Sequence, residues 1–267
     1  QAKKKPTNHT EAHKDSNPTP TVMASQTTRI LITGASSGVG AATARRLLRA
    51  SSPLAESRRL FLVGRNEERL CAVQSEVGEQ AHIGMGNVAS WKDMQRLAAE
   101  AEESLGGGVD VLVANAGCGA PKGPLEQVSV ADYERVMDTN VKGVFLSLKA
   151  FLPGMRARGR GQVVVMSSVL GIRPSPGGAV YCASKYALEG LIASLRRELA
   201  GSGVRVGVVN PAAIDTAWWD NSTKTAEDRS RMLAADDVAR AVEFLIEQPA
   251  SCDLERLVLD PTTTKGL

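Results

Sequence analysis

The stretch "RILITGASSGVG", residues 29–40, decides the fold because it joins a buried strand to a helix through a glycine-rich turn. Gly34, Gly38 and Gly40 allow a tight turn, a close approach of backbone to a pyrophosphate, and tight packing of helix on strand. A helix that begins near Gly38 would direct free N–H groups and a positive dipole end toward a phosphate. The stretch therefore predicts a dinucleotide site, and an ordinary strand-to-helix turn is the alternative.

Outward from this turn, short apolar strand patterns alternate with helical patterns along the chain. The strands are nearly continuous runs of Val, Ile and Leu, which is typical of strands covered on both faces. We therefore predict a single-domain, Rossmann-type α/β fold: a doubly wound parallel sheet of about seven strands, with helices on both faces and right-handed crossovers. The predicted strands are 29–33, 60–64, 81–84, 109–117, 161–168, 204–211 and 255–259, and the predicted helices include 40–50, 66–78, 90–106, 128–155 and 181–200.

Composition excludes several classes of protein. The net charge of +3 is small and mixed, so it gives no footprint for nucleic acid or anionic lipid. No apolar run approaches the roughly 18 residues that a membrane helix needs. The four cysteines form no CxxC pair, which argues against a zinc site and a disulfide framework. We therefore expect no metal, no nucleic acid and no membrane as partners, and a reducing compartment, the cytoplasm, with a plastid as the alternative.

Residues 1–28 are rich in Thr, Asn, Lys and Pro, which predicts a disordered N-terminal tail before a catalytic domain at 29–267. Two of the three histidines, His9 and His13, lie in that tail. A Ser-His-Asp hydrolase would therefore depend on His82 alone, and nothing around His82 resembles a triad.

"YCASK", residues 181–185, places Tyr181 four residues before Lys185, and these positions share one face of a helix. A tyrosine hydroxyl can give a proton to a developing alkoxide if its pKa of ~10 is brought toward neutrality. A lysine ammonium at ~4 Å would supply about 4 kcal/mol, roughly three pKa units before desolvation is counted. The alternative is a chance pair on an ordinary helix.

Several motifs together resemble the short-chain dehydrogenase/reductase family over about residues 29–263. These are the Gly-x-x-x-Gly-x-Gly turn, "ANAG" at 114–117, Asn140 in the long helix, "MSSVLG" at 166–171 and "YCASK". The ending of the chain resembles the NADP-preferring branch that acts on 3-hydroxy acids, serine-like compounds and assorted carbonyls. The resemblance implies that the family's catalytic asparagine, serine, tyrosine and lysine correspond to Asn140, Ser168, Tyr181 and Lys185, with Ser167 as a minor competitor for the serine.

The same resemblance implies a function. Tyr181 would act as general acid/base while hydride passes between a nicotinamide and a ketone, an aldehyde or a secondary alcohol. Ser168 would hold the substrate oxygen, Lys185 would bind the nicotinamide ribose, and Asn140 would anchor a proton-relaying water. A non-catalytic NADP(H)-binding sensor or scaffold is the alternative. Relatives commonly pair subunits through the helices at 130–158 and 181–200, so a homodimer or homotetramer is expected.

The choice of cofactor depends on the end of the second strand, where a carboxylate would bind a free ribose 2′-hydroxyl. Here Gly64 and Arg65 stand at that point, and a guanidinium suits a 2′-phosphate. NADP(H) is therefore predicted; a solvated loop charge is the alternative. The cofactor-binding residues implied are Gly34, Ser36, Ser37, Gly38, Val39, Gly40, Arg65, Asn66, Asn87, Val88, Asn115, Ala116, Gly117, Tyr181, Lys185, Pro211, Ile214 and Thr216.

Residues 212–235 follow the sixth strand and are expected to form a mobile lid over the substrate. Trp218 and Trp219 in this segment either line an apolar or aromatic pocket or pack the lid onto the body. The lid has no basic cluster, so a highly anionic substrate is not indicated.

Overall fold

The computed structural model describes residues 27–220 and 222–263 and contains a seven-stranded parallel sheet in the order β3-β2-β1-β4-β5-β6-β9. A second, two-stranded sheet pairs β7 with β8. The predicted fold class is therefore confirmed. The strands are β1 Thr28–Thr33, β2 Arg58–Gly64, β3 Ala81–Met85, β4 Val111–Ala114, β5 Gly161–Met166, β6 Val204–Pro211, β7 Ile214–Asp215, β8 Leu233–Ala234 and β9 Arg256–Leu259, and the α-helices are α1 Gly38–Leu47, α2 Glu67–Val77, α3 Trp91–Ser104, α4 Val130–Met137, α5 Gly143–Ala157, α6 Ala179–Glu198, α7 Ala226–Ser230 and α8 Ala235–Ile246.

Helices cover both faces of the sheet because alternate strand residues point to opposite sides. Leu31 belongs to the apolar cluster that includes residues of α3, α5 and α6. Its neighbours Ile30 and Ile32 belong to a second cluster with residues of α1, α2 and α8. All three side chains are fully buried, which explains the continuous apolar run in the sequence.

The strand order reverses between β1 and β4, and the loops that follow these two strands separate to open a crevice at the carboxyl edge. The Thr33 hydroxyl ties the two strand ends together, because its Oγ1 accepts hydrogen bonds from the amides of Asn115 (3.0 Å) and Ala116 (3.1 Å). These bonds turn the chain out of the sheet. β4 consequently ends at Ala114, and the strand predicted to run to residue 117 is shorter than expected.

Two further boundaries differ from the prediction. Thr28, assigned to the tail, is the first residue of β1 and pairs with Arg58. The helix predicted over 128–155 divides into α4 and α5, joined by a π-helical turn at Asp138–Lys142. The predicted disorder of residues 1–26 falls outside the described residues. Within the described ranges, the helices are too short or too polar to cross a bilayer.

Gly40 is the position in α1 where we expect an added side chain to lower the stability of the fold most. A Cβ at this position would lie 2.3 Å from the carbonyl oxygen of Gly34, so helix and turn would have to separate. We expect Gly40→Ala to lower the free energy of unfolding by about 1–3 kcal/mol or more. Urea unfolding checks this.

Gly190→Ala is the matched control, because a Cβ at Gly190 of α6 meets nothing within 4 Å. This variant should be neutral or stabilising by about 0.5–1 kcal/mol. Equal stabilities for the two alanine variants would contradict the packing argument.

Candidate active site

The glycine-rich turn after β1 leaves the N-terminus of α1 open. Gly34 and Gly38 have φ angles of 67° and 53°, which favour glycine. Ser37 stands at the N-cap but makes no side-chain capping bond, so it does not occupy the first-turn amides. Such a turn fits a pyrophosphate, because bare backbone and uncapped N–H groups face the same point.

The other residues predicted to bind the cofactor follow strands at the same edge of the sheet. Parallel strands bring the segments after their carboxyl ends to one side, which is where a dinucleotide lies in this kind of fold. They are Arg65 and Asn66 after β2, Asn87 and Val88 after β3, Asn115, Ala116 and Gly117 after β4, and Pro211, Ile214 and Thr216 at and after the end of β6.

Arg65 is exposed at the end of β2 and makes no hydrogen bond or ion pair within the described part of the chain. A guanidinium in this state keeps its donors available for a ligand. Its neighbour Asn66 has a structural task, since its Oδ1 accepts from the Arg69 amide (2.8 Å) as the N-cap of α2.

Asn115 also has a structural role. Its Nδ2 donates to the carbonyl oxygens of Thr33 (2.9 Å) and Gly34 (3.3 Å), so it fastens the glycine-rich turn to β4. These bonds use the Nδ2 atom of Asn115, so the predicted contact of Asn115 with a cofactor would have to be made by its other atoms.

Tyr181 and Lys185 lie side by side on the first turns of α6, with the Lys185 Nζ 5.7 Å from the centre of the Tyr181 ring. Lys185 is buried, and its Nζ donates to the carbonyl oxygen of Met166 at the end of β5 (2.8 Å). That bond fixes the ammonium between strand and helix.

The structure separates the two candidate serines. The Ser168 hydroxyl donates to the Pro211 carbonyl oxygen (3.3 Å) and hydrogen-bonds with Tyr181, which acts to lower the tyrosine pKa. The Ser167 Oγ has no partner within the described residues and lies against Gly171, 2.8 Å from where a Cβ would stand. Ser168 is therefore the serine that shares a site with Tyr181.

Burial raises the pKa of Tyr181 to about 12, and hydrogen bonding to Ser168 offsets only part of this rise. The expectation that Lys185 would bring this pKa toward neutrality is wrong for the protein alone. Burial also lowers the pKa of Lys185 from 10.5 to about 8. One of the three ammonium donors of Lys185 is directed at the Met166 carbonyl oxygen, and desolvation opposes charge on both Tyr181 and Lys185. At neutral pH Tyr181 holds its proton.

Asn140 lies in the π-helical turn and is fully buried. Its Nδ2 donates to the Cys118 carbonyl oxygen (2.9 Å) and to Ser184 Oγ (3.0 Å), while its Oδ1 accepts from the Cys118 amide (2.8 Å). Asn140 therefore fastens the loop after β4 to α6. Both amide protons are used, so the predicted water would have to be held by the remaining lone pair of Oδ1 or by the backbone.

A cleft of about 390 Å³ is lined by residues 117–121, Arg135 and Trp218. The Trp218 ring meets the Tyr181 ring edge to face, with centroids 6.0 Å apart and planes at 72°. Trp219 instead donates from Nε1 to the Ile214 carbonyl oxygen (2.9 Å). Of the two tryptophans, Trp218 lines the cleft and Trp219 anchors the segment that carries it.

Sequence reasoning missed a polar group behind the serine. The fully buried Asn210 donates from Nδ2 to the Ser168 carbonyl oxygen (2.9 Å) and to Glu189 Oε1 (2.6 Å), and Glu189 pairs with Arg256 (2.8 Å). The only signal in the sequence was the position of Asn210 near the end of β6. This group holds the backbone of Ser168 in place.

The lowered pKa of Lys185 predicts a pH-dependent stability. Between pH 8 and 10.5 the unfolded chain keeps the lysine proton and the native protein releases it, so stability should rise with pH in this window. The full effect is about 3 kcal/mol at about 1.4 kcal/mol per pKa unit. Tyr181 acts in the opposite direction only above its ordinary pKa of 10.

The measurement is urea unfolding of wild type and Lys185→Met at about pH 7.5 and about pH 10. The methionine variant should be the more stable at the lower pH, and its advantage should shrink at the higher pH. An advantage that stays constant would show that Lys185 titrates at its ordinary pKa.

The glycine-rich turn lies where the strand order reverses, and Ser168, Tyr181 and Lys185 lie together beside the end of β5. This combination defines a dinucleotide-dependent oxidoreductase of the Rossmann type. The family model of the short chain dehydrogenases matches residues 28–227. The chain belongs to the short-chain dehydrogenase/reductase family.

Known relatives cover most of the chain. An uncharacterised oxidoreductase of Listeria innocua is 33% identical over 243 residues, 88% of this chain and 96% of that protein. An NADP-dependent 3-hydroxy acid dehydrogenase of Salmonella typhimurium is 30% identical over 246 residues, 88% and 95% of the two chains. The crystal structure of an alcohol dehydrogenase from the archaeon Thermococcus sibiricus, in complex with 5-hydroxy-NADP, has a TM-score of 0.81 at 29% identity and covers 91% of this chain and 100% of that one. The Salmonella protein is named as NADP-dependent and the Thermococcus structure holds 5-hydroxy-NADP, which agrees with the cofactor predicted from Arg65.

Proposed function

We propose that this protein transfers a hydride between NADP(H) and a ketone or aldehyde, or the corresponding secondary alcohol, with Tyr181 as general acid/base. The observation that carries the proposal is the arrangement of Ser168, Tyr181 and Lys185, in which the half-buried Tyr181 is protonated at neutral pH and its ring contacts the cleft residue Trp218. A protonated hydroxyl is the form that carbonyl reduction requires.

Each side chain has a separate task in this mechanism. The Tyr181 hydroxyl binds the carbonyl oxygen and gives its proton to the alkoxide that develops there. The Ser168 hydroxyl donates a second hydrogen bond to the same oxygen once it rotates away from the Pro211 carbonyl oxygen. Lys185, fixed by Met166, carries positive charge below about pH 8 and stabilises the tyrosinate left behind. The nicotinamide, when bound, supplies or accepts the hydride and a positive charge in its oxidised form.

The cofactor proposal is NADP(H) rather than NAD(H). It is supported by the exposed Arg65 at the end of β2, which has no partner among residues 27–220 and 222–263, by the NADP in the name of the Salmonella relative and by the 5-hydroxy-NADP in the Thermococcus structure. A guanidinium binds a 2′-phosphate through charge-assisted, bidentate hydrogen bonds, which a 2′-hydroxyl cannot offer.

The decisive experiment is absorbance at the NADPH band with purified protein and a panel of ketones, aldehydes and 3-oxo acids. Cofactor binding is measured separately by titration. Consumption of NADPH with at least one carbonyl supports the enzyme. Tight NADPH binding with no turnover on any panel member would favour the alternative, a sensor or scaffold of the same fold.

We also propose the extent of the catalytic domain, the oligomeric state and the location of the protein. The catalytic domain is placed at 29–267 with its lid at about 212–235. A homodimer or homotetramer would use α4, α5 and α6, whose outer faces expose Val130, Phe145 and Tyr186. A cytoplasmic location, or a plastid, is proposed from the four free cysteines.

A further inference from the structure

Trp218 packs directly against Gly119, and both residues line the cleft. A Cβ built on Gly119 would lie 2.6 Å from Cζ2 of the Trp218 indole, closer than side-chain atoms approach one another. The indole therefore rests on bare backbone, and only glycine leaves room for it. The same side chain meets the Tyr181 ring edge to face, so the indole contacts both the loop after β4 and the tyrosine.

The segment that carries Trp218 is braced on both sides. Arg229 of α7 pairs with Asp215 (2.5 Å) and Asp220 (3.0 Å) and donates to the Thr216 carbonyl oxygen (3.2 Å). Trp219 is tied to Ile214 by its indole N–H. These bonds enclose the short 3₁₀ turn Ala217–Trp219, so the backbone of Trp218 is fixed relative to the cleft.

We propose that Trp218, seated on Gly119, sets the width of the substrate cleft and selects carbonyl compounds with slender or flat substituents over branched ones. The inference rests on the proposed carbonyl reductase function and adds the residue pair that determines specificity. A flat or unbranched substituent can lie along the face of the indole. A branched substituent would have to push the indole away from Gly119 and break its contact with Tyr181.

The test compares NADPH oxidation with butanone and with its branched analogue pinacolone. In wild type, kcat/KM should favour butanone over its branched analogue. In Trp218→Ala the ratio of pinacolone to butanone should rise roughly 10-fold or more, the scale of discrimination by an apolar pocket. A ratio that changes less than about twofold would overturn the proposal.

Gly119→Ala tests whether the two residues act as a pair. In wild type the added methyl should displace the indole and lower kcat/KM for benzaldehyde several-fold, about 10-fold as a guide. In the Trp218→Ala background the same methyl should have little effect, because the group it displaces is gone. Equal effects in both backgrounds would contradict the pairing.

Gly123→Ala is the matched control for this loop. A Cβ at Gly123 meets only Gln127 Oε1, at 3.9 Å, so the variant should behave as wild type with every substrate. A loss of activity in Gly123→Ala like that of Gly119→Ala would mean that the loop tolerates no side chain at all, which would overturn the specific role of Trp218.

A readout without turnover separates this inference from the proposed function. If wild type reduces no carbonyl on the panel, the proposed function fails, and the pair is then judged by fluorescence. The emission of Trp218 is obtained as the difference between wild type and Trp218→Phe, and likewise between Gly119→Ala and Gly119→Ala/Trp218→Phe. Acrylamide should quench this component more strongly in the Gly119→Ala pair. Unchanged quenching would contradict the contact itself.

Discussion

Replacing Tyr181 by phenylalanine is expected to lower kcat/KM for NADPH-dependent carbonyl reduction by about 10²–10⁴-fold, the usual contribution of a positioned general acid. The substitution removes one oxygen and leaves the ring, so the contact with Trp218 survives. Affinity for NADPH should change little, because Lys185 keeps its bond to Met166. Steady-state absorbance and a binding titration measure the two quantities on the same preparation.

Tyr186→Phe is the control for this experiment. Tyr186 lies on the same helix, five residues later, and its side chain is exposed. It should retain wild-type activity and binding. If Tyr181→Phe also kept its activity, Tyr181 would have no part in proton transfer, and the general-acid role would pass to another group or to water.

Replacing Arg65 by serine is expected to change the preference between NADPH and NADH by roughly 10- to 150-fold. Hydrogen bonds to charged groups contribute about 1.5–3 kcal/mol, which converts to this range. The loss should appear in the Kd of NADPH, while the Kd of NADH stays close to its wild-type value, because only the 2′-phosphate loses a partner. Titration of protein fluorescence with each cofactor measures both constants.

Arg59→Ala controls for the loss of a cation from the same strand. Arg59 stands near the opposite end of β2, where its Nη1 donates to the carbonyl oxygens of Glu56 and Arg58. It is expected to leave both cofactor affinities unchanged. An Arg65→Ser variant that bound the two cofactors in the wild-type ratio would mean that Arg65 is a solvated loop charge.

The sequence was sufficient for the fold because local signals and packing signals agree. The apolar runs predicted strands covered on both faces, and both apolar clusters are present. The spacing of Tyr181 and Lys185 also depends only on local helix geometry, and the two side chains do lie together. A prediction that depends on the residues of a single helix or strand leaves few alternative structures open.

Properties that depend on contacts between distant segments of the chain could not be predicted from local sequence patterns. The pKa of Tyr181 is raised mainly by burial, and the Tyr181 ring contacts Trp218, which belongs to a different segment of the chain. Asn140 finds Ser184 forty-four positions away. The end of β4 was misplaced because the Thr33 hydroxyl, more than eighty positions earlier, captures the amides of Asn115 and Ala116.

The π-helical turn Asp138–Lys142 amounts to one additional residue in an otherwise regular helix, since its hydrogen bonds span five residues instead of four. One residue rotates a helix by about 100°, so the turn sets the angular offset between the faces of α4 and α5. A chain one residue shorter here would form a single uninterrupted α-helix, in which the side chains of α4 and α5 would follow one regular helical repeat. That helix would be regular, but Asn140 would point about 100° away from Cys118 and Ser184. The additional residue therefore rotates α4 and α5 relative to each other about their common direction. As a result α5 can pack its apolar side on the sheet while Asn140 still points to the loop after β4.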